Sequence, residues 1–96
     1  MPTYVTLWKY TKDGLVDMKN TPERYGAVKK IINDAGGELI SAYGLIGEYD
    51  VITIMNMPDE KVLSSVILRM CAKGRISCQT MTALSIEDFL KIAKGV

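Results

Sequence analysis

The stretch that most constrains this chain is Leu45-Ile46-Gly47-Glu48-Tyr49-Asp50-Val51-Ile52-Thr53-Ile54, which reads as a tight hairpin feeding the central strand of a sheet. Gly47 can adopt the positive φ that closes a short turn, and Tyr49 to Met55 is β-branched, aromatic and apolar. Ile52 and Ile54 alternate with Tyr49, Val51, Thr53 and Met55, so neither face of this strand is cleanly polar and both want cover.

The segments around it supply that cover. Thr3 to Tyr10 alternates as a first strand, with Val5 and Leu7 on one face and Tyr4, Thr6, Trp8 and Tyr10 on the other. Thr11 to Asn20 is a connection with an Asp13-Gly14 turn signal, folded down on the domain by Leu15, Val16 and Met18. Thr21 as N-cap and Pro22 at the first helical position open helix one; its stripe is Tyr25, Val28, Ile31, Ile32 and Ala35, and Gly36-Gly37 stops it. Glu38 to Leu45 is strand two. After strand three, Met57-Pro58-Asp59 starts helix two, with a stripe of Val62, Leu63, Val66, Ile67 and Met70 and a stop at Gly74. Ile76 to Leu84 is strand four, and Ser85 with Asp88 resembles a capping box opening a short tail helix that carries Ile86, Phe89, Leu90 and Ala93 on one side.

The order βαββαβ with one hairpin in the middle is the ferredoxin-like pattern, an α+β sandwich whose antiparallel four-stranded sheet runs 4-1-3-2 with both helices on one face. Residues 1–96 have room for one such domain and no second. The Val5/Leu7 face suits the helices. The opposite face then carries Tyr4, Thr6, Trp8, Tyr49, Val51, Thr53 and Met55, a broader apolar area than a soluble monomer leaves open. Two sheets packed face to face would hide it, giving a homodimer of the dimeric α/β-barrel type; the competing arrangement folds the tail helix across that face.

Composition narrows the chemistry further. The chain has 12 Lys and Arg against 11 Asp and Glu, scattered along its length, so no basic face points to direct nucleic-acid binding. There is no signal-peptide pattern and no apolar run that could cross a bilayer, so a cytoplasmic protein without membrane attachment is expected. With no histidine, the chain lacks a Ser-His or Cys-His nucleophile pair and a His-containing zinc site, and neither a metal nor another cofactor is expected. Cys71 and Cys78 are not spaced as C-x-x-C and read as small buried hydrophobes. Met1-Pro2 permits an N-terminal proline base after Met1 removal, although the helices and hairpin do not fit that chemistry's usual setting.

The topology gathers Tyr10, Lys12, Arg24, Glu48, Tyr49, Asp50 and Arg75 at one polar end. Asp50 there can act as a general base or accept a ligand amine, or it can accept from turn amides, from the first turn of helix one or from Arg24. Trp8, Tyr49, Tyr4 and Tyr43 can line a cavity or fill a dimer interface, and Arg24 with Arg75 can hold an anion bidentately or pair within the fold. The candidate ligand-binding residues are therefore Trp8, Tyr10, Arg24, Tyr43, Gly47, Tyr49, Asp50 and Arg75.

At Gly47-Glu48-Tyr49-Asp50 the sequence resembles the GYD-domain family, small stand-alone proteins named for this G-x-Y-D motif. The resemblance extends over Gly14, Pro22, Arg24, Gly37, Tyr43, Pro58-Asp59, Gly74 and Thr80; it implies the ferredoxin-like fold of the dimeric-barrel group and no established activity. The second half, through Gln79-Thr80-Met81-Thr82, is also similar to the effector-binding domain of leucine-responsive, feast/famine-type regulators. In those, the hairpin lies by an amino-acid site between dimers, and this chain has no helix-turn-helix before strand one. Together these readings point to a homo-oligomeric small-molecule-binding or regulatory interaction module. The alternative is a cofactor-independent enzyme resembling dimeric-barrel monooxygenases and isomerases, with Trp8, Tyr49 and Asp50 shaping the substrate site; it requires an enclosed pocket with convergent polar groups.

Overall fold

In the computed structural model, which describes residues 1–96, the elements follow the expected order. They are β1 (Thr3–Tyr10), a short α1 (Lys12–Val16), a 3-10 turn (Met18–Asn20), α2 (Thr21–Asp34), β2 (Glu38–Gly44), β3 (Val51–Asn56), α3 (Glu60–Cys71), β4 (Ile76–Ala83) and α4 (Ile86–Lys94). The sheet is antiparallel in the order β2-β3-β1-β4, the ferredoxin-like arrangement. Local chemistry sets the helix starts: the Asp59 carboxylate accepts from the Val62 amide at 2.8 Å, and the Ser85 hydroxyl accepts from the Asp88 amide at 3.1 Å.

Three details depart from the sequence reading. The β2–β3 connection is not a tight hairpin: residues 45–50 form a six-residue loop, with Gly47 at φ +151° and the Leu45 amide donating to the Asp50 carbonyl at 2.8 Å. Strand three consequently starts at Val51 rather than Tyr49. The Thr11–Asn20 connection contains a helical turn capped by Thr11. A bulge between Leu39 and Ser41 resets β2, so that Ser41 opposes Ile54 and Tyr43 opposes Ile52.

The largest correction concerns which face of the sheet the helices cover. Tyr4, Met55 and Met57 are buried together with Ile32 of α2 and with Leu63 and Val66 of α3. The face bearing Tyr4, Thr6, Trp8, Thr53 and Met55 is therefore the helix-covered one, not the bare one. Its polar tips do not need water, because they satisfy each other across the strands. Trp8 Nε1 donates to Thr53 Oγ1 at 2.9 Å, and the Thr6 and Thr80 hydroxyls lie 3.0 Å apart. By alternation the open face holds Val5, Leu7, Ile52 and Ile54, joined by Met81 opposite Val5 and Tyr43 opposite Ile52.

The tail helix does not cover that open face. Every residue of α4 is exposed, including Ile86, Phe89 and Leu90 on its apolar side, and the molecule is drawn out to 49 × 31 × 18 Å.

Gly14 is where α1 touches the rest of the fold. A Cβ there would stand 2.1 Å from the Arg75 carbonyl oxygen, which itself accepts the Thr11 amide at 2.9 Å. Gly14→Ala should therefore lower unfolding stability in urea by about 1–3 kcal/mol, as overpacking against backbone does. Gly26→Ala, in α2 with nothing near its added methyl, should instead raise it by about 0.5–1 kcal/mol.

Candidate functional site

Ile32 of α2 and Leu63 and Val66 of α3 pack over Tyr4 and Met55 at one end of the sheet. Over Trp8 and Tyr10 a cleft of about 350 Å³ lies between α2 and the C-terminal end of α3. Its floor is the helix face of the sheet, Trp8, Tyr10, Val51, Thr53 and Ile76, and its walls include Val28, Ile31 and Met70. Trp8 is 5% exposed with its indole N–H already engaged, so it presents ring surface rather than a donor. Arg24, Arg69, Lys73 and Arg75 ring the mouth, and the lining holds no carboxylate and no thiol.

Each predicted residue has a definite place. Trp8, Tyr10, Arg24 and Arg75 line the cleft. Arg24 pairs with the Asp17 carboxylate, whose Oδ2 also lies 3.5 Å from Arg75 Nε, and Arg24 Nη2 donates to Thr21 Oγ1 at 3.3 Å. Asp50 is not paired with Arg24. Its Oδ2 accepts the Tyr10 amide at 2.8 Å while its own amide donates to the Trp8 carbonyl at 2.8 Å. The β1–β3 ladder ends at Trp8 and Val51, so the carboxylate serves Tyr10 where the departing backbone no longer can. Tyr49 reaches over β1 and donates its hydroxyl to Gln79 Oε1 at 2.9 Å; because Gln79 opposes Leu7, this ring belongs to the open face. Tyr43, 62% exposed, stands on the same face at the β2 edge, and Gly47 lies in the 45–50 loop; neither touches the cleft.

Arg69 and Lys73 were absent from the sequence expectations. Their signal was present: they are four residues apart on one side of Met70, where the stripe of α3 runs out. It is obscured because alternation along β1 does not say which face of the sheet Trp8 shares with α3.

Cys71, the last residue of α3, has its sulfur 4.0 Å from that of Cys78, and both are free thiols. Burial pushes the Cys71 thiol up from its ordinary 9.0 to about 11, the neighbouring Cys78 adding through its charge and hydrogen bond. A raised thiol pKa means that the unfolded chain ionises first. Stability should hold below the ordinary thiol value and fall as pH rises toward 11. Alkylation of Cys71 by iodoacetamide, followed by mass spectrometry, should accelerate over that alkaline range, as pH rises toward 11, rather than near the ordinary thiol value.

Removing the Asp50 acceptor leaves the Tyr10 amide unserved. Asp50→Ala should cost about 1–3 kcal/mol of unfolding free energy, and Asp50→Asn, whose amide oxygen still accepts, should recover part of it in urea titrations.

Comparisons with known proteins agree with this fold. A curated relative from Thermus thermophilus, described as a glutamine synthetase and cystathionine beta-lyase binding protein, is 25% identical over 91 residues, spanning 94% of this chain and 96% of the relative. The crystal structure of FFRP-DM1 superposes with a TM-score of 0.61 at 23% identity, over 88% of this chain and all of that one. The leucine response regulatory protein of Mycobacterium tuberculosis also superposes at 0.61, with 12% identity, over 88% of this chain and 51% of its own. These likenesses establish the fold shared with the effector-binding domains of such regulators. The GYD domain model matches residues 4–93, nearly the whole length, and the chain belongs to the GYD domain family.

Proposed function

We propose that this protein is a self-assembling, cytoplasmic interaction module whose working form is a homodimer joined through the open face of the sheet. The observation that carries this reading is a pair of unmet surfaces on one chain. Val5, Leu7, Ile52, Ile54 and Met81 form an aliphatic face without cover, and α4 holds an apolar stripe without a bed. Their dimensions match: a nine-residue helix is about 13 Å long and four strands span about 14 Å, so α4 of one copy can lie along or beside the sheet of the other. A stable interface of standard size buries about 800 Å² per partner, and these two surfaces are the apolar area the chain offers toward it.

The name of the Thermus relative supports a further part of this reading: the assembled module docks on enzymes of amino-acid and nitrogen metabolism. The binding reading draws on a cleft lined by ring surface and cations.

Sedimentation equilibrium at micromolar concentration should give twice the chain mass of 10.6 kDa. Leu7→Lys combined with Ile54→Lys should give a folded single chain, and truncation after Leu84 should weaken association. A wild-type protein that sediments as one chain would overturn the assembly. Surface plasmon resonance against purified glutamine synthetase and cystathionine β-lyase tests the enzyme docking separately.

A further inference from the structure

We propose that the cleft between α2 and α3 is a binding site for an organic acid: one carboxylate carried on a single aromatic ring or a short acyl chain. The cleft opens on the helix side of the sheet, so the proposal goes beyond the assembly above and does not depend on it.

Both halves of such a ligand have counterparts on the page. A volume of about 350 Å³ accommodates a body of roughly ten heavy atoms and falls within the range of small-molecule sites. The body would rest on the Trp8 ring, flanked by Val28 and Ile31 from α2 and Met70 from α3. At the mouth stand four cations on a chain whose net charge is only +1. Arg24 and Arg75 are already engaged with Asp17, whereas Arg69 and Lys73 have no carboxylate partner. Those two, Arg69 in the last turn of α3 and Lys73 just beyond its C-cap, are the groups free to take an anion, and Arg69 can do so bidentately. A cationic rim above an apolar floor selects for a charge at one end and against charge in the body, which separates an organic acid from free phosphate or a zwitterionic headgroup.

Trp8 is the chain's single tryptophan and forms the cleft floor, so its emission reports occupancy directly. The test titrates the full chain with 4-phenylbutyrate and octanoate. Matched controls are 4-phenylbutan-1-ol and octan-1-ol, which have the same bodies without the charge, and inorganic phosphate, which has charge without a body. The acids should shift Trp8 emission saturably with Kd of about 0.1–1 mM, and the alcohols and phosphate should bind about tenfold or more weakly. Arg69→Gln with Lys73→Gln, two exposed positions whose loss spares the core, should weaken the acids about tenfold and leave the alcohols unchanged. Leu7→Lys with Ile54→Lys should leave acid binding intact, which keeps failure of the dimer distinct from failure of this site. Equal affinity for acid and alcohol would overturn the proposal. So would acid binding that is indifferent to the Arg69/Lys73 variant, phosphate binding as tightly as the acids, or no saturable change up to about 10 mM.

Discussion

The hydrogen bond from Trp8 to Thr53, with the threonine pair Thr6 and Thr80 beside it, decides how this molecule is put together. A face that carries an indole and several hydroxyls looks too polar for a dry interior, and unpaired it would be, since each buried group without a partner costs about 1–3 kcal/mol. Paired across adjacent strands, the same groups become self-sufficient and the helices can settle on them. Thr6 is fully buried and Thr53 nearly so. Everything else follows from that choice of side: the aliphatic face is left outward, and the indole becomes the floor of a cleft rather than the centre of an interface.

The order of the long elements was legible, because its punctuation is local; the α1 turn, and the capping of α2 at Asn20 rather than at the expected Thr21, were not. Pro22, Gly36-Gly37, Pro58-Asp59 and Ser85-Asp88 each act through the backbone of their own neighbours, and the structure places the helix ends there. The sheet order followed from the order of elements. The side of the sheet that faces the helices was not legible, because β1 and β3 are apolar on both faces and alternation alone cannot choose between them. What breaks the tie is cross-strand pairing such as Thr6 with Thr80, 74 positions apart, which no periodicity reveals. The cleft itself was not legible: Trp8, Tyr10, Arg24 and Arg75 line it, but the site was expected in the barrel interior or at the hairpin end and not beneath the helices. Arg69 and Lys73 join them beside Met70, a placement that depends on which face of the sheet α3 covers.

The motif that gives the family its name separates, in three dimensions, into unlike duties. Gly47 supplies the backbone freedom of the loop, Asp50 extends the β1–β3 ladder by one bond with its side chain, and Tyr49 lies on the opposite side of the sheet, tied to Gln79. The motif therefore fixes the end of the central strand pair from both faces at once. It holds the Trp8–Tyr10 segment in place beneath the cleft without contributing a lining atom of its own.

The bulge between Leu39 and Ser41 lies on an outer strand, with Ile40 half exposed beside it. A flat rim of unpaired amides is a template for another strand to extend the ladder sideways. The extra residue kinks that rim and puts its amides out of step with any incoming strand. Lateral pairing along β2 is thus obstructed by the backbone itself.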